Sequence, residues 1–213
     1  MRFEALLIDL DGVIVDSHAV VDRTWRRWAT LHQIEAEPLL AFLGGRKASE
    51  TIRAFAPAHV DIVVETQRVL DWECEDTNGL VALPGAEAIL AQTTLPVCIV
   101  TSCDRRLAIA RLAAVDLPSD ALLVSGDEVA NGKPEPDPYL LGAQRVGRDI
   151  RSCLVIEDAP AGIESGRQAG ATVCAVRTTH RDSQLTRAHF RAGTIADVIS
   201  DVVELAPPVS QLS

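Results

Sequence analysis

Five short apolar runs restrict what this chain can fold into more than any other feature: Phe3–Ile8, Val97–Val100, Ala121–Val124, Cys153–Ile156 and Thr172–Val176. Each has the length and content of a buried strand. Between the later ones lie helix-like stretches at about 103–115, 136–147 and 160–169. Strands alternating with helices of this length call for right-handed crossovers and a parallel sheet with helices on both faces. The expected fold class is therefore α/β, with a Rossmann-like doubly wound parallel sheet. Ligands of such sheets bind beyond the carboxyl ends of the strands. Asp9, Thr101, Ser102, Glu157 and Asp158 all fall at such ends.

Residues 18–80 break the pattern, because they contain no convincing strand. Helices are expected at 18–32, 48–55 and 59–76, with turns near Glu37-Pro38, Gly44-Gly45 and Asn78-Gly79. Leu83-Pro84-Gly85 restarts the core. The expected organisation is an α/β core of residues 1–16 and 82–213, interrupted by a helical insert of residues 17–81. Trp25 and Trp28 are assigned to the core of the insert's first helix, and the tail 207–213 is expected to be loose.

Ile8-Asp9-Leu10-Asp11-Gly12 ends the first run with two carboxylates and a glycine that lets the chain turn. Two acids held close are not both ionised cheaply unless a cation sits between them or their pKa values are split. Either arrangement serves chemistry, one acid as nucleophile and the other as proton donor and acceptor. The bland alternative is a strand followed by a solvated Asp-Gly turn. Thr101 and Ser102 bring hydroxyls and backbone N–H groups to a strand-to-helix turn, where a phosphoryl oxygen fits, although such a pair at a strand end is more often a helix cap. Lys133 stands in the proline-rich loop Asn131–Pro138, either as a fixed cation beside a carboxylate or as a solvent-facing residue of a turn. Glu157-Asp158 closes another strand ahead of a helix opened by Pro160, either as oxygen ligands for a hard cation or as helix-terminal caps. In the insert, Gly44-Gly45-Arg46-Lys47 offers a loop that could approach a ligand, with Arg46 reaching its polar groups. His18, His32, His59, His180 and His189 show no metal-binding spacing and are read as surface residues, with His18 close enough in sequence to line the site.

Composition narrows the partners. A net charge of −10 argues against nucleic acid and against an anionic membrane surface. It leaves room for a small anionic substrate, since a metal and a few local cations reverse the sign inside one pocket. Lys47 and Lys133 are the only lysines among 20 basic residues, so both invite attention. The five cysteines are odd in number and match no zinc pattern; Cys98, Cys153 and Cys174 lie in apolar runs, which reads as reduced thiols and a cytoplasmic protein. Cys103 is read as structural.

Taken together these residues resemble the haloacid dehalogenase superfamily of phosphotransferases. Its four motifs stand in order as Asp9-x-Asp11, Thr101/Ser102, Lys133 and Glu157-Asp158, and the insert is similar to that superfamily's helical cap of the first type. Asn131-Gly132-Lys133-Pro134, Glu157-Asp158-Ala159-Pro160-Ala161-Gly162, Gly45-Arg46 and Thr178-Thr179-His180 are similar to its sugar and polyol phosphate phosphatases. The resemblance implies a Mg²⁺-dependent phosphatase acting on a small phosphorylated metabolite, as a monomer or weak dimer. Asp9 would form an aspartyl-phosphate and Asp11 would serve as acid and base. Thr101 or Ser102 and Lys133 would hold phosphoryl oxygens. Asp9, the Asp11 carbonyl and Asp158 would bind the metal, Glu157 would act behind them, and Gly45 and Arg46 would meet the substrate from the cap. A β-phosphoglucomutase-type mutase remains the alternative; a phosphonoacetaldehyde hydrolase-like enzyme, which would use Lys47, is opposed by Asp11.

Overall fold

The first strand lies in the middle of the sheet. In this computed structural model, which describes residues 3–202 and side chains as far as residue 199, the elements run in order β1 (Ala5–Ile8), β2 (Val15–Asp16), α1 (His18–Leu31), α2 (Ala36–Leu43), α3 (Ala48–Phe55), α4 (Ile62–Glu75), β3 (Val81–Ala82), α5 (Ala86–Gln92), β4 (Val97–Val100), α6 (Arg105–Ala114), β5 (Leu123–Val124), α7 (Asp137–Arg145), β6 (Cys153–Glu157), α8 (Pro160–Ala169), β7 (Thr172–Val176), β8 (Phe190–Ala192) and α9 (Ile195–Val202). Six strands form one sheet in the order β5-β4-β1-β6-β7-β8, all parallel. Side chains alternate across β1: Leu6 and Ile8 join one apolar cluster, Ala5 and Leu7 the other. All four are fully buried, and each Leu or Ile so placed contributes roughly 1.5–3 kcal/mol. The α/β reading of the sequence therefore holds.

Register aligns the ends of the central strands. Ile8 pairs with Ile99 on one side and Ile156 on the other, so Asp9, Thr101 and Glu157 emerge at the same edge. The chain leaves β1 toward β4 on one side and reaches β6 on the other, and a crevice opens where the strand order reverses.

Helices α1 to α4 pack around a separate apolar cluster of Trp25, Trp28, Leu39, Ile52 and Val69. The two indoles meet edge to face with centroids 5.8 Å apart. The chain enters and leaves this helical segment through β2 and β3, which pair antiparallel with Val15 opposite Ala82 and Asp16 opposite Val81.

Several boundaries differ from expectation. Glu37 and Pro38 form no turn; they lie in the first turn of α2, where a proline's missing N–H costs nothing. The run at Phe3 becomes strand only at Ala5, and that at Ala121 only at Leu123. Helix α4 starts at Ile62 because the Asp61 carboxylate accepts from the N–H groups of Val63 and Val64. β8, a three-residue edge strand with an exposed centre, is too short to read from its pattern. The expectation for residues 207–213 lies outside the described residues. Among the described residues no helix is long and apolar enough to cross a membrane. All five cysteines are free thiols, with Cys98, Cys153 and Cys174 buried as expected.

Candidate active site

Asp9 continues β1 beyond its last pair, its N–H donating to the Ile156 carbonyl at 3.0 Å. The side chain is almost wholly buried and meets the Lys133 ammonium at 2.5 Å. Lys133 is 1% exposed, so it is no solvent-facing turn residue. Its three N–H groups go to Asp9 Oδ1, to Glu157 Oε1 at 2.6 Å and to the Val100 carbonyl at 2.9 Å. Every proton of the ammonium is thereby used, and the charge is fixed between two carboxylates from adjacent strands.

Glu157 stands behind this pair. Its Oε1 also accepts from Tyr139 Oη at 2.7 Å, and its Oε2 accepts from the N–H groups of Asp158 and Ala159 at 3.0 and 3.2 Å. With four donors on two oxygens, Glu157 orients Lys133 and the turn that carries Asp158. Neither acid caps the following helix. The N-cap of α8 is Ala159, with Pro160 as the first helical residue, and no side chain caps it. Asp158 instead accepts from Thr179 Oγ1, on the loop after β7.

Asp9, Glu157 and Asp158 each offer an oxygen within 4.8 Å of the others. One lysine offsets three buried acids. Burial, reinforced by Glu157 and Asp11, pushes Asp9 up to about 7 against the pull of Lys133. Burial, with Glu157 and Asp9 nearby, pushes Asp158 well above the usual carboxylate range. Such crowding is what a hard divalent cation with oxygen ligands relieves. Because Glu157 is saturated with hydrogen bonds, Asp9 and Asp158 are the carboxylates left to face the ion, and the donor set fits.

Asp11 lies beyond Asp9 and is half-buried. Its Oδ1 accepts from Ser17 Oγ at 2.6 Å and pairs with Arg111 at 2.6 Å; its Oδ2 accepts from the Cys103 thiol at 3.1 Å. Arg111 also reaches Glu73 on α4 at 2.7 Å. Burial works against the guanidinium charge, but Asp11 and Glu73 more than offset it and raise the Arg111 pKa.

The strand-end hydroxyls have separate partners. Thr101 Oγ1 accepts from the Cys103 N–H at 3.1 Å, while Ser102 Oγ donates to the Gly45 carbonyl at 2.7 Å and so ties the core to the helical segment. Neither is the cap of α6, which is Asp104. Lys47 makes a second tie, from Nζ to the Val129 carbonyl at 2.7 Å. Arg46 sits beside these ties, its guanidinium 4.5 Å over the Phe42 ring.

A cavity of about 710 Å³ lies between the strand ends and the helical segment. It is lined by Asp9, Asp11, Thr101, Ser102 and Asp158 below and by Gly45 and Arg46 above, so these sequence-selected residues converge on one space, while Lys133 and Glu157 stand behind Asp9 and do not line it. His18 lines it as expected and so does Trp25, whose indole also belongs to the helical core. Two histidines depart from the surface reading. His180 is half-buried against Thr179 and lines the cavity, and His32 packs on Trp28 and meets Glu65 at 2.9 Å. Cys103, taken as structural, touches Asp11. Sequence reasoning passed over Ser17, Glu73, Arg111, Tyr139 and the role of Thr179. A signal for Arg111 was present: it shares the buried face of α6 with Leu107, Ala108 and Leu112, and a charge on an apolar face needs partners. Thr179 follows the end of β7, at the edge that carries the other polar groups.

A parallel sheet whose central strand ends in a buried aspartate held by a fixed lysine, beside three acids that could hold a metal ion, is the frame of a hydrolase. Residues 3–170 match the haloacid dehalogenase-like hydrolase family, and this chain belongs to it. It is 43% identical to hexitol phosphatase A of Escherichia coli over 83% of this chain and 84% of that one. It is 27% identical to 2-deoxyglucose-6-phosphate phosphatase 1 of Saccharomyces cerevisiae, over 94% of this chain and 88% of that one. A hydrolase from Pseudomonas syringae has the same fold, with a TM-score of 0.84 at 24% identity over 93% and 97% of the two chains. Within the family, this chain is related to the sugar and polyol phosphate phosphatases.

Proposed function

We propose that this chain is a Mg²⁺-dependent phosphatase of small phosphorylated sugars or polyols, with residues 17–81 as a cap over the site. One observation carries the reading: Asp9 is held by Lys133 beside Asp158 at the floor of the cavity, with a second carboxylate, Asp11, two residues on. The named relatives act on hexitol phosphates and 2-deoxyglucose 6-phosphate, which supports a polyhydroxylated substrate.

In the proposed sequence an Asp9 oxygen attacks phosphorus and the bond from phosphorus to the ester oxygen breaks. The departing alkoxide takes a proton from Asp11. Water then attacks the aspartyl-phosphate, gives its proton to Asp11, and phosphate leaves with Asp9 restored. The Thr101 hydroxyl and the turn at Ser102 bind the phosphoryl oxygens and orient them for in-line transfer, and Lys133 turns one N–H from Asp9 to a phosphoryl oxygen as Asp9 bonds to phosphorus. Asp9, the Asp11 carbonyl and Asp158 would hold Mg²⁺, which supplies charge neutralisation at the phosphoryl group. Glu157 positions Lys133. The cap excludes bulk water, and Arg46 meets the sugar hydroxyls. Lys47 donates to a backbone carbonyl, which favours this reading over a Schiff-base role. Five free thiols support a cytoplasmic enzyme.

The test is phosphate release from hexose, pentose, hexitol and glycerol phosphates, phosphoglycolate and β-glucose 1-phosphate, with Mg²⁺ and with EDTA. Metal-dependent release that peaks on one sugar or polyol phosphate is the expected result. Conversion of β-glucose 1-phosphate to the 6-phosphate without release would replace the phosphatase by a mutase. Silence on every ester would refute both.

A further inference from the structure

Among the described residues, Arg111 and its partner Glu73 are buried charges at the site that phosphoryl transfer as described leaves without a task. Arg111 projects from α6, its side chain is 3% exposed, and it touches both layers of the molecule: Asp11 of the core at 2.6 Å and Glu73 of the helical segment at 2.7 Å. Its Nε has no hydrogen-bond partner among the described residues, so the terminal nitrogens carry all the contacts that hold it. One of them also donates to the Cys103 sulfur at 2.8 Å, and that thiol donates to the other oxygen of Asp11. With Ser17, these contacts hold both oxygens of Asp11.

The geometry is specific. Asp11 is on a loop after β1, where its backbone alone leaves the side chain free to turn. A guanidinium fixed by a second carboxylate takes that freedom away. Glu73 is itself buried and lies on the buried face of α4 with Val69 and Leu70. Helices α4 and α6 also meet through Arg106 and Asp71 at 2.5 Å. A shift of α4 therefore moves Glu73, and with it the guanidinium on which Asp11 rests. Stripping one partner from the buried Arg111–Glu73 pair is costly, which opposes its separation.

We propose that Arg111 is a positioning residue that aims the Asp11 carboxylate, and that Glu73 holds Arg111 so that the docked position of α4 is transmitted to Asp11. The inference rests on the phosphatase reading, in which Asp11 serves the leaving oxygen.

The experiment compares first-turnover rates on two esters, with Mg²⁺ present. Sorbitol 6-phosphate has a poor leaving group that needs a placed proton donor; 4-nitrophenyl phosphate has one that does not. Arg111→Met should slow transfer from sorbitol 6-phosphate about 30-fold or more, with the first release of 4-nitrophenol reduced less than about threefold. KM for the sugar ester should move by less than about threefold. Glu73→Gln keeps the shape of the side chain and should give the same selective loss, about three- to tenfold. It also decides the matter if Arg111→Met does not fold. A merely structural role would slow both esters equally, and that result overturns the proposal. A raised KM at unchanged kcat would make Arg111 a substrate contact and overturn it as well. Wild-type behaviour of Glu73→Gln would remove the cap from the linkage. The phosphatase reading fails separately: wild-type enzyme would then release neither sorbitol nor 4-nitrophenol, and the inference falls with it.

Discussion

Gly12 is the position at which a single methyl group tests the proposed metal site against an acidic turn. It has φ +82°, and a Cβ built there would lie 2.7 Å from Asp158 Cγ and 2.9 Å from Thr179 Cγ2. Carbon atoms in contact stand about 3.5–4.0 Å apart, so the Asp158 carboxylate has to retreat by about 1 Å. Gly170 supplies the control. Its φ is +93°, yet the nearest atom to an added Cβ is Arg151 Cγ at 4.0 Å. Both alanine variants bear the same backbone penalty, about 1–2 kcal/mol for a left-handed alanine. In a domain of this size that lowers the melting temperature by roughly 3–6 °C. Only Gly12→Ala displaces a proposed metal ligand. Its Mg²⁺ requirement should rise about 10–100-fold and its kcat/KM should fall about 100-fold, with Gly170→Ala unchanged in both. The assay is phosphate release titrated with Mg²⁺, beside a melting curve for each protein. Equal Mg²⁺ titrations for the two variants would refute the assignment of Asp158 as a metal ligand.

Asp9→Asn should lose turnover by at least about 10³-fold without a fall in melting temperature in EDTA, because it removes one of three crowded acids; a fully active variant sinks the nucleophile assignment. Arg46→Ala should raise KM for a sugar phosphate several-fold more than KM for an aryl phosphate, and equal effects would take Arg46 out of the substrate site. Glu128 accepts from Arg145 at 2.7 Å and from Arg105 and Ser125 at 3.1 and 2.8 Å, and the Arg145 contact leads in holding its carboxyl well below the usual range. A depressed folded-state pKa contributes stability above the unfolded value near 4.5 that is lost as pH falls. Glu128→Gln should therefore melt lower than wild type at pH 7, by an amount worth about 1 kcal/mol, and the gap should shrink by pH 3; a gap independent of pH would contradict the ion pairing.

Much of the fold was legible because strand burial leaves a mark in the composition. Leu6, Leu7 and Ile8 are consecutive and apolar, and a strand that buries such a run on both faces needs helices on both sides of a sheet. The helical segment was legible because residues 18–80 hold no convincing strand and Trp25 and Trp28 fall in the core of its first helix, but Pro38 misled, since its sign depends on whether it falls in a first turn or in an interior one. β8 escaped because a three-residue edge strand with an exposed centre has no periodicity to detect.

The sequence by itself determined which side chains stand at the carboxyl ends of the central strands, because strand polarity and the alternation of side chains are local properties. Asp9, Thr101, Glu157 and Asp158 were placed in that way. Tertiary structure alone decided what each of them touches. Arg111 and Glu73 are 38 residues apart on two helices, and nothing in either helix specifies the other as its partner. Glu157 could have capped a helix; the buried Lys133 and Tyr139, brought from 24 and 18 residues away, made it a support for the lysine instead. Contacts of this kind depend on how the layers dock. Docking is set by the sum of many apolar contacts, none of which is specific to the polar residues it brings together.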